Sequence, residues 1–273
     1  MTHATVTPRR ERILAEIGIG PRWRLRGRGG SLRPQRVGGE SAQDEVPPSA
    51  AAPAQPRDTQ PTARASATAA LELDDHAARI ARMDWPELKS QVAACTACQL
   101  CKTRTNTVFG VGDERAEWMI VGEAPGAEED ARGEPFVGQA GRLLDNMLAA
   151  VGLARGANVY IANVLKCRPP GNRNPEPFEV EQCSPHLVRQ LALIRPKLIL
   201  ALGRFAAQTL LGTDASIASL RGRQFQYQGV PLIVSYHPAY LLRNLPDKAK
   251  AWEDLCFARA TMQALKASGT PQS

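Results

Sequence analysis

The sequence predicts an α/β fold: a three-layer sandwich around a central four-stranded, mainly parallel sheet, preceded by a disordered N-terminal extension. Three observations carry that expectation. Four short apolar runs, at 118–121, 159–162, 198–202 and 232–235, are continuous rather than alternating, as in strands buried on both faces. Helical patterns over 141–151, 177–194, 204–211 and 248–265 separate and follow these runs. Polar segments at 122–126, 163–170 and 236–243 follow three of them, which puts the chemistry at the carboxyl edge of the sheet.

The N-terminal third reads differently. Residues 1–40 hold nine Arg against three Glu and so carry +6 of the chain's net +7, leaving the rest almost neutral. Such an arm can steer a polyanion electrostatically, although a plain disordered arm explains it equally well. Residues 46–70 are rich in Pro, Ala, Ser and Thr, a linker composition with little to bury. Residues 1–82 are thus expected to be arm and linker, 83–266 the folded domain, and 267–273 a flexible tail. No apolar run is long enough to span a membrane, and no secretory pattern stands at the N-terminus. A cytoplasmic protein is expected, with a transit peptide as the weaker alternative for the Arg-rich, Lys-free start.

The elements of the domain follow in order. Asp84 before Trp85-Pro86-Glu87 has the makings of a capped helix start: a carboxylate for free amides, Pro in the first turn, and Glu three residues on. That helix delivers Cys95 and Cys98. The strand at 118–121 runs into Gly122-Glu123-Ala124-Pro125-Gly126. The run Glu128-Glu129-Asp130 reads as a solvated face, and Gly133 to Gly138 as a stiff loop carrying Phe136. The strand at 159–162 ends on Asn163, and the strand at 232–235 leads to His237-Pro238 in a rigid turn. Gly110-Val111-Gly112 lacks the third glycine and the following helix of a dinucleotide fingerprint, and is rejected as one.

Six cysteines in a chain without a secretory pattern read as metal ligands or buried thiols. Cys95 and Cys98 are separated by two residues, Cys167 and Cys183 by fifteen. Two such pairs suit a tetrathiolate site, and spacing alone leaves zinc and an iron–sulfur cluster equally open. Cys101 adds a second two-residue spacing. Cys256, in the C-terminal helical pattern, reads as a buried thiol. Glu123 is either a turn cap or a working carboxylate. Phe136 is either a core plug or a flat face for a base. The Asn163 amide is either a turn group or a reader of a polar base edge.

Taken together, Cys95-Thr-Ala-Cys98, Gly122-Glu-Ala-Pro-Gly126, Pro135-Phe-Val-Gly-Gln-Ala-Gly141, Asn163-Val-Leu-Lys-Cys-Arg-Pro-Pro170 and His237-Pro-Ala-Tyr-Leu-Leu-Arg243 resemble the family 4 uracil-DNA glycosylases, the iron–sulfur type of bacteria and archaea. The likeness covers residues 83 to 266. It implies a [4Fe–4S] cluster on Cys95, Cys98, Cys167 and Cys183, serving structure rather than electron transfer. It implies action as a monomer on uracil-containing DNA, single- or double-stranded, with base flipping and release of uracil to leave an abasic site. Gly122, Glu123, Ala124, Phe136, Asn163 and His237 would then hold the base. His237 would stabilise the departing uracil, and Glu123 or Glu129 would orient water. Arg168 and Arg173, with Lys166 beside them, would meet phosphates, and Leu241, Leu242 and Arg243 would fill the vacated stack. A related group that traps DNA covalently carries a Lys-Arg-Arg-Ile-His loop where this chain has Arg168-Pro-Pro-Gly-Asn-Arg-Asn-Pro175, which disfavours that chemistry. Family 1 relatives place an Asp in the first motif, where this chain has Glu-Ala, leaving the water-orienting carboxylate open. The competing class is a non-catalytic cluster protein that binds DNA or transfers electrons on the same fold.

Overall fold

A computed structural model describes residues 75–268. The expected arm, and all but the end of the linker region before residue 83, lie outside the described residues, as does 269–273. A helical segment at 75–80 leads into α1 (Trp85–Ala93). Asp84 caps α1 by accepting from the Glu87 amide at 2.9 Å, and the Glu87 carboxylate accepts the Asp84 amide at 2.9 Å. This reciprocal box satisfies two amides that the first turn leaves unpaired.

Six strands form one sheet, in the order β1-β3-β2-β4-β6-β5. They are β1 (Val111–Gly112), β2 (Trp118–Gly122), β3 (Val159–Asn163), β4 (Leu198–Leu202), β5 (Gln224–Tyr227) and β6 (Val230–Ser235). The four runs read from the sequence form the parallel centre, β3-β2-β4-β6. The sheet is wider than expected, because β1 and β5 join antiparallel at its two edges. Neither carries a buried apolar run. β1 is two residues long, and β5 is a polar hairpin partner with alternating exposure.

Every residue of β2, β3 and β4 is buried, and successive side chains enter opposite layers. Met119, Val121, Ile199, Ala201 and Val234 pack with Leu187, Leu191 and Leu210 from α4 (Pro177–Ile194) and α5 (Arg204–Leu211). Ile120, Ile161, Leu200 and Ile233 pack with Leu144 and Leu148 of α3 (Gln139–Ala150) and with Leu255 and Met262 of α8 (Lys248–Ser268). Continuous hydrophobicity and coverage of both faces are therefore one fact.

Three short helices complete the frame. The acidic run read as a solvated face is α2 (Ala127–Arg132), the segment after Thr213 holds α6 (Ile217–Leu220), and the rigid His-Pro turn opens α7 (Pro238–Arg243). No helix among the described residues is long and apolar enough to cross a membrane.

Packing begins before residue 83. Ile80 is fully buried in a small cluster with Leu88, Val92 and Phe109. An Ile80→Ala substitution should therefore cost about 3 kcal/mol, or roughly 10 °C in Tm for a domain of this size. Thermal unfolding followed by circular dichroism checks this; an unchanged midpoint would place the start of the cooperative unit at residue 83.

Candidate active site

The site is built where β2 and β3 end. In register, Gly122 lies opposite Asn163. The pairing continues past both strands, with Val164 N donating to Gly122 O at 2.9 Å and Leu165 N to Glu123 O at 3.0 Å. Glu123 and Asn163 are consequently held side by side by backbone alone. A Cβ at Gly122 would stand 2.5 Å from Asn163 Oδ1 and 2.7 Å from Phe136 Cζ. Glycine here is what lets those two side chains meet.

Phe136 reaches this point through a tightly held loop. Its backbone takes a left-handed φ of 55°. Arg155 donates to Pro135 O (2.9 Å) and Phe136 O (2.8 Å), with its Nε on Asp145 (3.0 Å). A Cβ at Gly141 would fall 1.7 Å from Phe136 O, so α3 can approach the loop only through glycine. The Phe136 ring stacks on His237 with centroids 5.3 Å apart and planes 28° from parallel. That is a single aromatic stacking distance, so a flat ligand fits against the pair and not between its members.

His237 comes from the end of β6 and caps α7. Its Nδ1 accepts from the Ala239 amide at 3.2 Å, which places the proton of the neutral ring on Nε2. Burial pushes the imidazole down to about 4, against the pull of Glu129 and aided by Arg243. His237 is thus a neutral donor at physiological pH. Gly203 permits its position, since a Cβ there would lie 2.9 Å from His237 Cβ.

One cavity of about 440 Å³ joins these groups, lined by Glu123, Ala124, Phe136, Asn163 and His237, with Arg173, Tyr240 and Arg243 among the residues around them. Asn163 is 2% exposed, yet no hydrogen bond within the described chain engages its side-chain amide. The Glu123 carboxylate is equally unengaged, and burial pushes it above the usual carboxylate range against the pull of Arg204. Neither is among the buried polar atoms that lack a partner, so both open onto the cavity, where a ligand can reach them.

Other sequence expectations are redistributed. Glu129 lines the cavity, but its oxygens accept the Gly126 and Val137 amides, each at 3.1 Å. It ties the Gly126 turn to the Phe136 loop and has less freedom to orient water than Glu123. Asp130, far from solvated, is 4% exposed and accepts the Thr105 and Asn106 amides. Arg173 sits at the rim with two nitrogens on Glu179, at 2.9 and 2.6 Å. Arg168 holds Asn172 Oδ1 at 2.7 Å. Leu241 is 1% exposed in the core and cannot fill a DNA stack; Leu242 and Leu245 are exposed in its place. Arg243 stays at the rim and is exposed.

A second cavity is lined by Cys95, Cys98, Cys167 and Cys183, together with Cys101. Arg104 donates to Cys167 Sγ at 3.1 Å and the Lys166 amide to Cys183 Sγ at 3.2 Å. Burial pushes the Cys167 thiol up to about 11 and Cys183 up to about 12, so a thiolate here requires a cation to compensate it. No group of three or more His, Cys, Asp or Glu among the described residues is gathered around one metal-ion position. Thiols brought to one cavity lining from two distant segments, with N–H donors behind two of them, are the donor type that an iron–sulfur cluster takes. Cys256 lies on α8, outside this lining.

Sequence reasoning missed Arg155, Gly141 and Gly203, which support the site from behind. Gly141 stood inside a quoted motif, but Arg155 has no signal beyond being one arginine among many.

Comparison with known proteins agrees with this geometry. The Uracil DNA glycosylase superfamily profile matches residues 109–256, a span that includes the whole lining of the first cavity. The type-4 uracil-DNA glycosylase of Archaeoglobus fulgidus is 50% identical over 164 residues, covering 57% of this chain and 82% of that one. Pyrobaculum aerophilum supplies a contrast within one organism. Its type-4 enzyme is 42% identical over 183 residues, covering 64% of this chain and 93% of its own. Its type-5 enzyme is 34% identical over 151 residues, covering 49% of this chain and 66% of its own. With more than half of its length inside the superfamily match and type-4 relatives covered over most of theirs, the chain belongs to the type-4 uracil-DNA glycosylases.

Proposed function

We infer that the protein is a DNA-repair glycosylase that hydrolyses the N-glycosidic bond of deoxyuridine in DNA, leaving an abasic site. The observation that carries this reading is the Asn163 amide, unpartnered among the described residues and open to the cavity beside the Phe136–His237 stack and the Glu123 carboxylate. A uracil flipped out of the helix would lie against that stack. Asn163 offers one donor and one acceptor to its polar edge, which cytosine would answer with the opposite pattern. A wrong base would then leave buried groups unpaired, and this is the source of discrimination.

Bond cleavage places negative charge on uracil and positive charge on the sugar. His237 Nε2–H donates to the uracil oxygen on which charge develops, and because the ring is already neutral it needs no proton from solvent. Glu123 accepts a proton from water as its oxygen bonds to the sugar C1′. The glycosidic electron pair leaves with uracil. Asn172, Arg173 and Arg243 at the rim face the DNA backbone, while Leu242 and Leu245 occupy the emptied stack. DNA is held by such local contacts more than by net charge. The enzyme acts as a cytoplasmic monomer on single- or double-stranded substrate.

Cys95, Cys98, Cys167 and Cys183 would hold a [4Fe–4S] cluster. When bound, that group would supply a covalent closure between the segment after α1, the loop after β3 and α4, and no step of the reaction.

Three outcomes are expected. Oligonucleotides containing uracil should be cut by alkali after incubation with the protein, and matched thymine strands should not; intact uracil strands from cluster-loaded protein would instead indicate the non-catalytic class. His237→Ala should reduce kcat by roughly 100–1,000-fold with the visible absorbance of the cluster unchanged. The pH profile should stay flat through the ordinary histidine range near 6.5, since His237 ionises only around 4. Its acid limb should belong to Glu123, which works ionised and, being raised, is lost at a higher pH than an exposed carboxylate. Glu123→Gln should abolish that limb and most of the rate; an inflection that persists near 6.5 would mean that His237 titrates during turnover.

A further inference from the structure

Lys166 stands between the two cavities. It is 2% exposed, which rules out the phosphate contact expected of it from the sequence. Its ammonium donates to the Asn163 backbone carbonyl at 2.9 Å and to Gln190 Oε1 at 2.7 Å. Gln190 is fully buried and is itself fixed, its Nε2 donating to Phe109 O at 2.9 Å and Tyr160 Oη at 3.3 Å. The Lys166 backbone is held as firmly: its amide meets Cys183 Sγ at 3.2 Å, and its carbonyl accepts the Val108 amide at 2.7 Å. No carboxylate is among these partners.

We propose that Lys166 is a positioning residue for base recognition: its buried ammonium fixes the main chain of Asn163, and through it the amide that reads the base. The proposal rests on the reading of Asn163 given above. The Asn163 side chain has no hydrogen-bond partner among the described residues, so where its amide points depends on its backbone and on packing beside Phe136. That backbone lies at the end of β3, where the ladder with β2 runs on for only two more residues. An ammonium–carbonyl bond away from water is among the stronger hydrogen bonds, and its loss leaves a buried carbonyl unpaired. Small displacements of a recognition group translate into large rate losses, because the group must be in place before the transition state forms. Lys166 also joins the cysteine-lined cavity to the base pocket, since one residue touches Cys183 by its amide and Asn163 by its side chain.

Lys166→Met keeps the length and apolar stem while removing the donor. Its kcat/KM on a uracil oligonucleotide is expected to fall about tenfold, the worth of one such bond. Inhibition by free uracil should weaken by the same factor, while affinity for undamaged DNA stays within about twofold. The deciding measurement is a double-mutant cycle with Asn163→Ala. If Lys166 acts through Asn163, Lys166→Met should cost less than about twofold in the Asn163→Ala background. A lysine that merely supports the fold would give losses that multiply, and would leave uracil inhibition unmoved; either result overturns the proposal. Should Lys166→Met fail to melt cooperatively, Gln190→Leu frees the ammonium from one partner and should show a smaller loss, about threefold, with the same non-additivity. Asn163→Ala with wild-type turnover would instead remove the reading beneath the proposal, and the proposal with it. A normal Asn163→Ala defect with multiplying losses would overturn the role of Lys166 alone.

Discussion

The parallel pairing of β2 with β3, carried two residues beyond the strands, is the constraint from which the rest of the site follows. Gly122 sits opposite Asn163, and the Val164 and Leu165 amides then bond to the Gly122 and Glu123 carbonyls. A slip of one residue would send Glu123 or Asn163 to the opposite layer, because side chains alternate along each strand. The register is guarded by burial. Each of β2 and β3 is apolar at every position before its last residue and feeds both layers at once, so any slip would exchange well-packed neighbours on two faces. The edge that carries Glu123 and Asn163 is fixed because the core beneath it is.

Close approach is the second requirement, and glycine meets it at separate points. Gly122 admits Asn163 and Phe136 to one another, Gly141 brings α3 against the Phe136 loop, and Gly203 lets His237 settle over the sheet end. Each closes a gap that a methyl group would hold open. Around them, charged groups are spent on the backbone rather than on the ligand. Arg155 binds two carbonyls of the Phe136 loop, Glu129 two amides, and Asp130 the amides of the segment that follows the first cysteines. The walls are therefore satisfied from within, while Asn163 and Glu123 are left without partners. Such a division is what preorganisation means in chemical terms: the groups that meet substrate are few, and those that hold them are many.

Legibility from sequence tracked the strength of the physical signal. The four central strands were readable because burial on both faces leaves no polar positions to interrupt them. α4 and α5 were readable from their helical patterns over 177–194 and 204–211. β1 and β5 were not, since an edge strand borrows its stability from its neighbour and needs no hydrophobic pattern of its own. α2 escaped because its acidic residues look like solvent-facing ones. Glu129 and Asp130 bond backbone amides, which composition cannot distinguish from solvation. Within the site, Glu123, Phe136, Asn163 and His237 were legible because each stands in a distinctive short motif directly after a strand or in a Gly/Pro loop. Of the residues expected to fill a vacated stack, Leu241 was misplaced, being buried, while Leu242 is exposed. The order Leu241-Leu242 does not say which leucine faces inward, and α7 buries the first and exposes the second.

Lys166 was misjudged for a related reason, and the correction bears on how the two cavities relate. A lysine beside Arg168 and a proline-rich loop reads as surface charge. Its position three residues beyond a strand end instead folds it back beneath that end, where the backbone supplies an acceptor and Gln190 a second. Glu179 repeats the arrangement from the other side. It lines the cysteine cavity, caps the start of α4 through the Glu176 amide, and takes the two guanidinium nitrogens of Arg173 from the rim of the base pocket. The cysteine-bearing segments are thus joined to the first cavity by two charged side chains, one reaching Asn163 and one reaching the loop at 172–174. Lys166 and Glu179 thereby set where the Asn163 carbonyl and the Arg173 guanidinium stand.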